Sequence, residues 1–457
     1  MSTYLLERAL VGGTVHDDVL VTVEDGRFTR VESAVGPAGP SDGGPSDDAA
    51  ASGSGGGRTL EAVERVPGLT IPGIANCHSH AFHRALRGRT QAERGTFWTW
   101  REQMYAVAER LDPDSYFDLA RATYREMLAA GITAVGEFHY LHHQPDGTPY
   151  ADPNAMGTAL VAAAREAGIR IALLDTCYLA AGVGRAPEGV QRRYSDGDVD
   201  AWAKRVSALE EVDGVVVGAA IHSVRAVPRD ALPTVATARP EAPLHVHLSE
   251  QVAENAECVD AYGLTPTQLL ADAGALGART SAVHATHLSD TDIRLLGGSA
   301  TYSCFCPTTE RDLGDGIGPS RRLHEAGSPL TIGSDSHAVV DPFEEMRAVE
   351  LDERLATQSR GHWSAEELLF AATGAGQASL GFPDAGRIEV GARADLVVLD
   401  TATARTAGTG AGTGTAVFAA VAEDVRGVMV DGRWHDARAV RDEVGGELAT
   451  AIDRMHQ

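Results

Sequence analysis

The stretch Ile71-Pro-Gly-Ile-Ala-Asn-Cys-His-Ser-His80 constrains this chain more than any other. An apolar run, broken by Pro-Gly, climbs into His78-x-His80. On an extended strand, residues two apart point to the same side. Both imidazoles therefore reach one ion, and neutral imidazole is the commonest metal ligand. Two ligands are not yet a site. A pair of hydrogen-bonded histidines at a strand end has the same spacing, and a metal centre needs further donors from elsewhere in the chain.

The surrounding pattern supplies a frame for those donors. Residues 4–33 alternate and turn like a small antiparallel sheet, with a hairpin signal at Asp25-Gly26. Residues 35–57, rich in Gly, Ser, Pro and Asp, read as a disordered surface insertion. Strand returns over 60–66, before Pro67-Gly68. After His80, apolar runs at 132–138, 169–174, 215–221, 243–248, 280–284, 299–303 and 329–334 alternate with amphipathic stretches. The clearest helical stretches are 155–167, 199–211, 250–262 and 343–355. Counting the strand before His78, this predicts eight β units and an α/β fold of the (β/α)8 TIM-barrel type. A doubly wound sheet shows the same alternation.

From about 384 short strands come back: 386–399, 425–430, and an Asp431-Gly432 turn leading to Trp434. A Thr/Gly/Ala tract at 401–415 reads as flexible, and a helix over 437–455 closes the chain. The two ends are expected to pair into one small β-sandwich domain. Residues 1–70 and 384–457 would form it, with the terminal helix, and 71–383 the barrel. A length of 457 residues accommodates a barrel of about 250 residues with such an appendage.

Net charge of −25 argues for a soluble protein and against nucleic acid or an anionic membrane as partner. A small anionic substrate stays open, because it responds to the local field of its pocket. Five scattered cysteines suit a reducing compartment rather than a disulfide framework. Cys304-x-Cys306 has no second pair and reads as a strand end. Glu7 and Arg8 interrupt the first apolar stretch, and no apolar run is long enough to span a bilayer, so cytoplasm is the expected location. Lys204 is the single lysine.

In a barrel, catalytic groups sit at the C-terminal ends of the strands. The predicted strands end in His78-Ser-His80, Glu137-Phe-His139-Tyr140, His222-Ser-Val-Arg225, His245-Val-His247-Leu-Ser-Glu250, His284-Ala-Thr-His287 and Gly333-Ser-Asp335-Ser-His337. Nine of the 17 histidines fall there, too many for satisfied core residues alone, which points to a metal site. His78, His80 and a histidine of the fifth strand would supply nitrogens and Asp335 a carboxylate. That set leaves the open position that hydrolytic chemistry requires. Between His245 and His247 the sequence discriminates little. His247 stands three residues before Glu250, so the glutamate can turn back over the ligand, which favours His247. The donors suit one Zn2+ per chain, and Fe2+ fits the same set.

This constellation resembles the amidohydrolase superfamily, whose metal-bound hydroxide at a barrel mouth attacks trigonal carbon or phosphorus. The resemblance covers nearly the whole chain, including Gly391-Ala-Arg-Ala-Asp-Leu-Val-Val-Leu399. Binuclear members bridge two metals through a carboxylated lysine or a glutamate; Lys204 lies in a polar helical stretch, which removes the lysine bridge. His247-x-x-Glu250, His284 and Asp335 match the mononuclear deaminase branch instead. Within that branch the chain is similar to the formimidoylglutamate deiminases of histidine breakdown. The stretches are His78-Ser-His-Ala-Phe82, Phe97-Trp-Thr-Trp-Arg101, Glu137-Phe-His-Tyr-Leu-His-His143, His222-Ser-Val-Arg225, His245-Val-His-Leu-Ser-Glu-Gln251, His284-Ala-Thr286, Cys306-Pro-Thr-Thr-Glu-Arg-Asp-Leu-Gly-Asp-Gly316 and Gly333-Ser-Asp-Ser-His337. One departure is His83, which stands where that family commonly has a substrate-contacting glutamine.

The resemblance implies hydrolysis of a formimidoyl carbon, with Asp335 taking the proton of the attacking water. Glu250 and His284 would stabilise the tetrahedral species and protonate the departing nitrogen. Two substrate carboxylates call for arginine forks. Arg225 and Arg101 are the candidates, with Tyr140, His222 and His83 also lining the substrate. Packing on Trp98 or Trp100 is the other role open to Arg101. A homodimer is expected from the same resemblance. Two rival readings remain: a deaminase of a cyclic substrate, suggested by the aromatic cluster at 97–100, and a non-catalytic scaffold barrel, which predicts missing ligands.

Overall fold

The computed structural model describes residues 1–33, 63–91 and 97–456. The Gly/Ser/Pro tract at 35–57, the start of the strand predicted over 60–66, and the side chains of Phe97 and Trp98 lie outside the described residues.

Eight parallel strands run in chain order around the larger sheet. Numbered with those of the smaller sheet, they are β5 (Ile74–Ser79), β6 (Ile132–His139), β7 (Arg170–Cys177) and β8 (Val215–Ile221), followed by β9 (Leu244–Leu248), β10 (Thr280–His284), β11 (Tyr302–Phe305) and β12 (Leu330–Ile332). Every residue of β5, β6, β7 and β9 is buried. Such continuous burial is what a parallel sheet covered on both faces produces. The ring closes at the mouth through a parallel bridge between Ser79 and Asp335. There the His80 amide donates to the Asp335 carbonyl at 3.2 Å, and the Asp335 amide donates to the His78 carbonyl at 2.9 Å. This closure is that of a (β/α)8 barrel and not of a doubly wound sheet.

The connecting helices start and stop where local chemistry directs. Asp112 caps the helix Pro113–Ala129, exchanging hydrogen bonds with Ser115 in a capping box. The helix expected over 155–167 forms as Ala155–Ala167 and ends at Gly168, whose φ of 87° suits glycine alone. The helix expected over 199–211 stops at Ser207. The one expected from 250 begins at Val252, because the chain leaves β9 through Ser249 in a left-handed conformation, φ 50°.

The smaller sheet belongs to the β-sandwich appendage and uses both ends of the chain. Its strands are β1 (Ser2–Val11), β2 (Thr14–Glu24), β3 (Arg27–Ser33), β4 (Glu64–Pro72), β13 (Leu396–Leu399), β14 (Val425–Val430) and β15 (Arg433–Asp436), ordered β15-β14-β13-β4-β1-β2-β3. It encloses its own apolar core of Leu6, Val21, Phe28, Leu396 and Met429 among others. Strand β4 does not end before Pro67-Gly68, as the sequence suggested, but runs through it. The register against β1 slips there by one residue, and the Glu7 carboxylate accepts the Gly68 amide at 2.7 Å. Proline is thus absorbed at a bulge. Only Gly73 separates β4 from the first barrel strand, so the two sheets share one continuous backbone. Buried Arg170, opening β7, ties them again through Asp395 at 3.0 Å and Asp431 at 3.1 Å.

The tract at 401–415, read as flexible, is instead a set of hydrogen-bonded turns leading into the helix Thr413–Phe418. Threonine hydroxyls organise it: Thr403 donates to Asp424 at 2.9 Å, Thr406 donates to the Asp400 carbonyl at 2.7 Å, and Thr409 meets Thr415 at 2.8 Å. The final helix, Ala437–His456, packs Val444 and Leu448 onto Ala122. Among the described residues no helix is long and apolar enough to cross a membrane.

Candidate metal centre and active site

His78, His80, His247 and Asp335 converge at the mouth of the barrel, their ligand atoms all within 4.8 Å of one another. Asp335 Oδ1 lies 3.4 Å from His78 Nε2 and 3.3 Å from His80 Nε2. The Nε2 atoms of His78 and His247 are 3.0 Å apart. His80 Nδ1 sits 2.9 Å from the Phe138 carbonyl, which only accepts, so Nδ1 carries the proton and Nε2 is left with its lone pair facing the cluster. Phe138 also stacks on His247, with centroids 4.3 Å apart, fixing that ring's plane.

The electrostatics suit a divalent cation. Burial favours the neutral form of all three imidazoles, taking His80 down to about 3 and lowering His78 and His247 as well. Burial alone would push Asp335 the other way, but hydrogen bonding and charge from His78, with further pull from His284 and His80, hold it ionised, far below the usual carboxylate range. Three neutral nitrogens and one carboxylate form the donor set of a hydrolytic Zn2+-type site. His245 stays outside it. It shares the inward side of β9 with His247 but lies two residues, about 6.6 Å, deeper in the barrel. Neither of its ring nitrogens has a hydrogen-bond partner among the described residues.

His284 differs from its neighbours. Burial would lower its pKa, yet the surrounding charges of Glu250, Asp335 and Glu310, with the Glu310 hydrogen bond, raise it well above the ordinary value. Its Nε2 is 3.9 Å from Asp335 Oδ2, and its Nδ1 is 3.4 Å from Glu310 Oε1. Five non-glycine residues at these strand ends have positive φ: Ser249 (50°), His284 (68°), Ala285 (48°), Asp335 (42°) and His337 (57°). Backbone strain of this kind concentrates where side chains must be aimed.

A pocket opens above the cluster. Its walls bring together His80, His83, Arg101, Tyr140, His222, Arg225, His247, Glu250, His284 and Asp335, every residue predicted for the site except His78. His78 is fully buried beneath it. His83 Nε2 is 3.0 Å from the Tyr140 hydroxyl. The His222 ring packs edge-on against Tyr178, 4.8 Å between centroids, and against His247, 5.2 Å. Arg101 places its guanidinium carbon 5.1 Å from the centre of the Tyr105 ring.

Sequence reasoning missed Glu310, the carboxylate beside His284, and Tyr178, just beyond the end of β7. Glu310 lies inside one of the motifs already singled out, and Tyr178 follows the one early strand whose end carried no histidine. A second buried group, His139, His142 and Asp175, could be taken for a metal site. Its members are largely taken up by hydrogen bonds within the fold. His142 spans His139 at 3.3 Å and the Thr176 carbonyl at 2.9 Å, and Asp175 is taken up by Arg205 at 2.7 and 2.8 Å and by Trp202 at 3.0 Å.

Comparison with known proteins agrees with this geometry. The sequence model of the amidohydrolase family matches residues 69–435. The chain is 38% identical over 406 residues to a formimidoylglutamate deiminase of Pseudomonas aeruginosa, covering 84% of this chain and 88% of that protein. It is 30% identical over 385 residues to a 5-methylthioadenosine/S-adenosylhomocysteine deaminase of Halobacterium salinarum, covering 81% and 82%. The crystal structure of an amidohydrolase from Brucella melitensis superposes with a TM-score of 0.87 at 32% identity over the full length of both chains.

Proposed function

The chain belongs to the amidohydrolase family, and on that premise we propose that it hydrolyses N-formimidoyl-L-glutamate to N-formyl-L-glutamate and ammonia. One juxtaposition carries the reading: the three-histidine, one-aspartate set and Arg225 open onto the same pocket. Arg225 makes no hydrogen bond with any described residue, and its side chain keeps 24% of its surface exposed. A guanidinium fork in that state is suited to a substrate carboxylate. Arg101 lines the same walls, so two cations face a compact cavity in a chain that is otherwise strongly acidic. The 38% identity to a formimidoylglutamate deiminase supports the same choice.

His78, His80, His247 and Asp335 would hold the metal, a divalent ion for which Zn2+ is the better match to imidazole and carboxylate donors. When bound, such an ion lowers the pKa of water toward ~7 and polarises the carbon under attack. Asp335 accepts the proton of the attacking water at the carboxylate oxygen that faces His284, 3.9 Å away. Glu250 and His284, on the same walls, stabilise the tetrahedral carbon and pass a proton to the formimidoyl nitrogen. Water adds, the C–N bond to the terminal nitrogen breaks, and ammonia leaves. Arg225 and Arg101 hold the glutamyl carboxylates, while Tyr140 and His83, joined by their hydrogen bond, fix the far wall.

A second reading, deamination of a purine-type ring, draws on the aromatic walls Trp100, Tyr105 and Tyr178 and on the Halobacterium relative. The ring itself supplies no counter-charge for Arg225, and S-adenosylhomocysteine brings one carboxylate against the two of formimidoylglutamate, which is why this reading ranks second. A non-catalytic scaffold ranks last, because the whole donor set is present. Steady-state ammonia release decides among them. Turnover of formimidoylglutamate above that of guanine, adenosine and methylthioadenosine is expected; turnover of a purine with none of formimidoylglutamate would sink the proposal.

A further inference from the structure

Behind the pocket wall lies a carboxylate that the chemistry above does not use. Glu254 stands in the first turn of the helix Val252–Tyr262 and is only 1% exposed. Neither of its oxygens has a hydrogen-bond partner among the described residues. Its nearest cation is Arg225, whose Nε is 3.8 Å from Glu254 Oε1 and is itself unpartnered among those residues. An unpaired buried charge is strongly unfavourable. Each group here therefore makes the other tolerable. The contact is made by the rear of the guanidinium, which leaves its two NH2 groups free to turn toward the pocket.

We infer that Glu254 is a positioning residue that keeps the Arg225 guanidinium in the pocket wall with its fork turned to a substrate carboxylate. The inference rests on the reading of this pocket as a site for a dicarboxylate substrate. Burial drives the Glu254 carboxyl up to about 7, with Arg225 pulling it down and Glu250 adding to the rise. Arg225 is the main group opposing that rise. Glu250 also acts on Arg225, but after Glu254. Without the Glu254 charge, Arg225 is a half-buried cation on a pocket wall with no counter-ion within 4 Å among the described residues, and the cheapest relief is to swing outward into water. Glu254 lies outside the pocket lining and touches no substrate atom. Its loss weakens substrate capture and leaves the chemical step intact.

The test uses the metal-loaded full chain with formimidoylglutamate. Glu254→Gln is expected to raise KM at least tenfold while kcat stays within about twofold, and Glu254→Asp to recover part of that rise. Arg225→Gln alone should raise KM as well, and adding Glu254→Gln to it should bring no further rise. Thermal melting gives a second readout that does not depend on turnover: Arg225→Gln should lower the melting temperature by stranding Glu254, and the double variant should regain part of the loss. Wild-type turnover together with an unchanged KM in Glu254→Gln, or a loss confined to kcat, or KM effects that multiply in the double variant, overturns the inference alone. A wild-type protein that neither turns over formimidoylglutamate nor binds N-formyl-L-glutamate by calorimetry overturns the functional reading, and this inference with it.

Discussion

Ser79 donates its hydroxyl to Glu137 across 2.8 Å, at a point midway between two histidines of the cluster. The same hydroxyl lies 2.9 Å from His337 Nε2, and the other Glu137 oxygen accepts the Ala81 amide at 2.7 Å. One buried carboxylate therefore grips the backbone on which His78 and His80 ride and links it to the loop carrying Asp335. Burial lifts Glu137 to about 7, against the pull of the Ala81 and Ser79 bonds. Outer partners of this kind set ligand geometry, and their loss commonly weakens metal binding by about 10–100-fold. Ser79→Ala should show a weakening in that range when the protein competes with a chelator for zinc. Wild-type affinity in the variant would mean that the barrel closure alone holds the ligands in place.

His245 and His247 give the cleanest separation of ligand from core residue. His247→Gln should lose stoichiometric metal, because it removes a nitrogen 3.0 Å from His78 Nε2. His245→Gln should keep the metal and pay in stability instead, roughly 0.5–3 kcal/mol, as buried substitutions do. Elemental analysis of both variants after dialysis checks this. Metal loss from the His245 variant with retention in the His247 variant would reverse the assignment.

Asp335 is both a proposed ligand and the proposed acceptor of water's proton. Asp335→Asn keeps the shape and removes the basic oxygen. Turnover normalised to bound metal should fall by about 10²–10⁴, the range for loss of a positioned acid–base group. Unchanged normalised turnover would leave Asp335 as a ligand only.

Much of this architecture was readable from residue order, and the reasons differ by element. The barrel announced itself because each parallel strand is a short apolar run ending in polar residues, and the helix over 155–167 because Gly168 stops it. Depth was not readable. His245 and His247 have the same strand parity, so alternation cannot tell which one reaches the mouth; only the end of β9 at Leu248 does. Pairings between distant elements were equally hidden: Glu310 with His284, Ser79 with Glu137, Glu254 with Arg225. The tract at 401–415 misled because its composition lacks apolar anchors, while its order comes from threonine hydroxyls and from Asp424, 21 residues beyond Thr403.

The second histidine group rests on a buried ionic network. Asp175 is fully buried, which by itself would raise its pKa, but the charge and hydrogen bonds of Arg205, helped by His142, hold it below the ordinary carboxylate value. Asp196, on the same guanidinium at 2.8 and 3.0 Å, is depressed as well. A carboxylate with a lowered folded pKa binds fewer protons folded than unfolded, so stability rises with pH through that window. The contribution is complete above the unfolded value near ~3.9 and drains away as the pH falls through the folded one. Asp175→Asn leaves Arg205 paired with Asp196 alone and should cost about 1–3 kcal/mol at neutral pH, as the loss of a buried charged hydrogen-bond partner does. It should also flatten the fall of melting temperature below about pH 4, since one of the protons taken up on acid unfolding is gone. Melting curves from pH 7 down to pH 2.5 on wild type and variant test both halves. Parallel curves, displaced but with equal slope, would mean that Asp175 does not carry the acid sensitivity and that Asp196 or another carboxylate does.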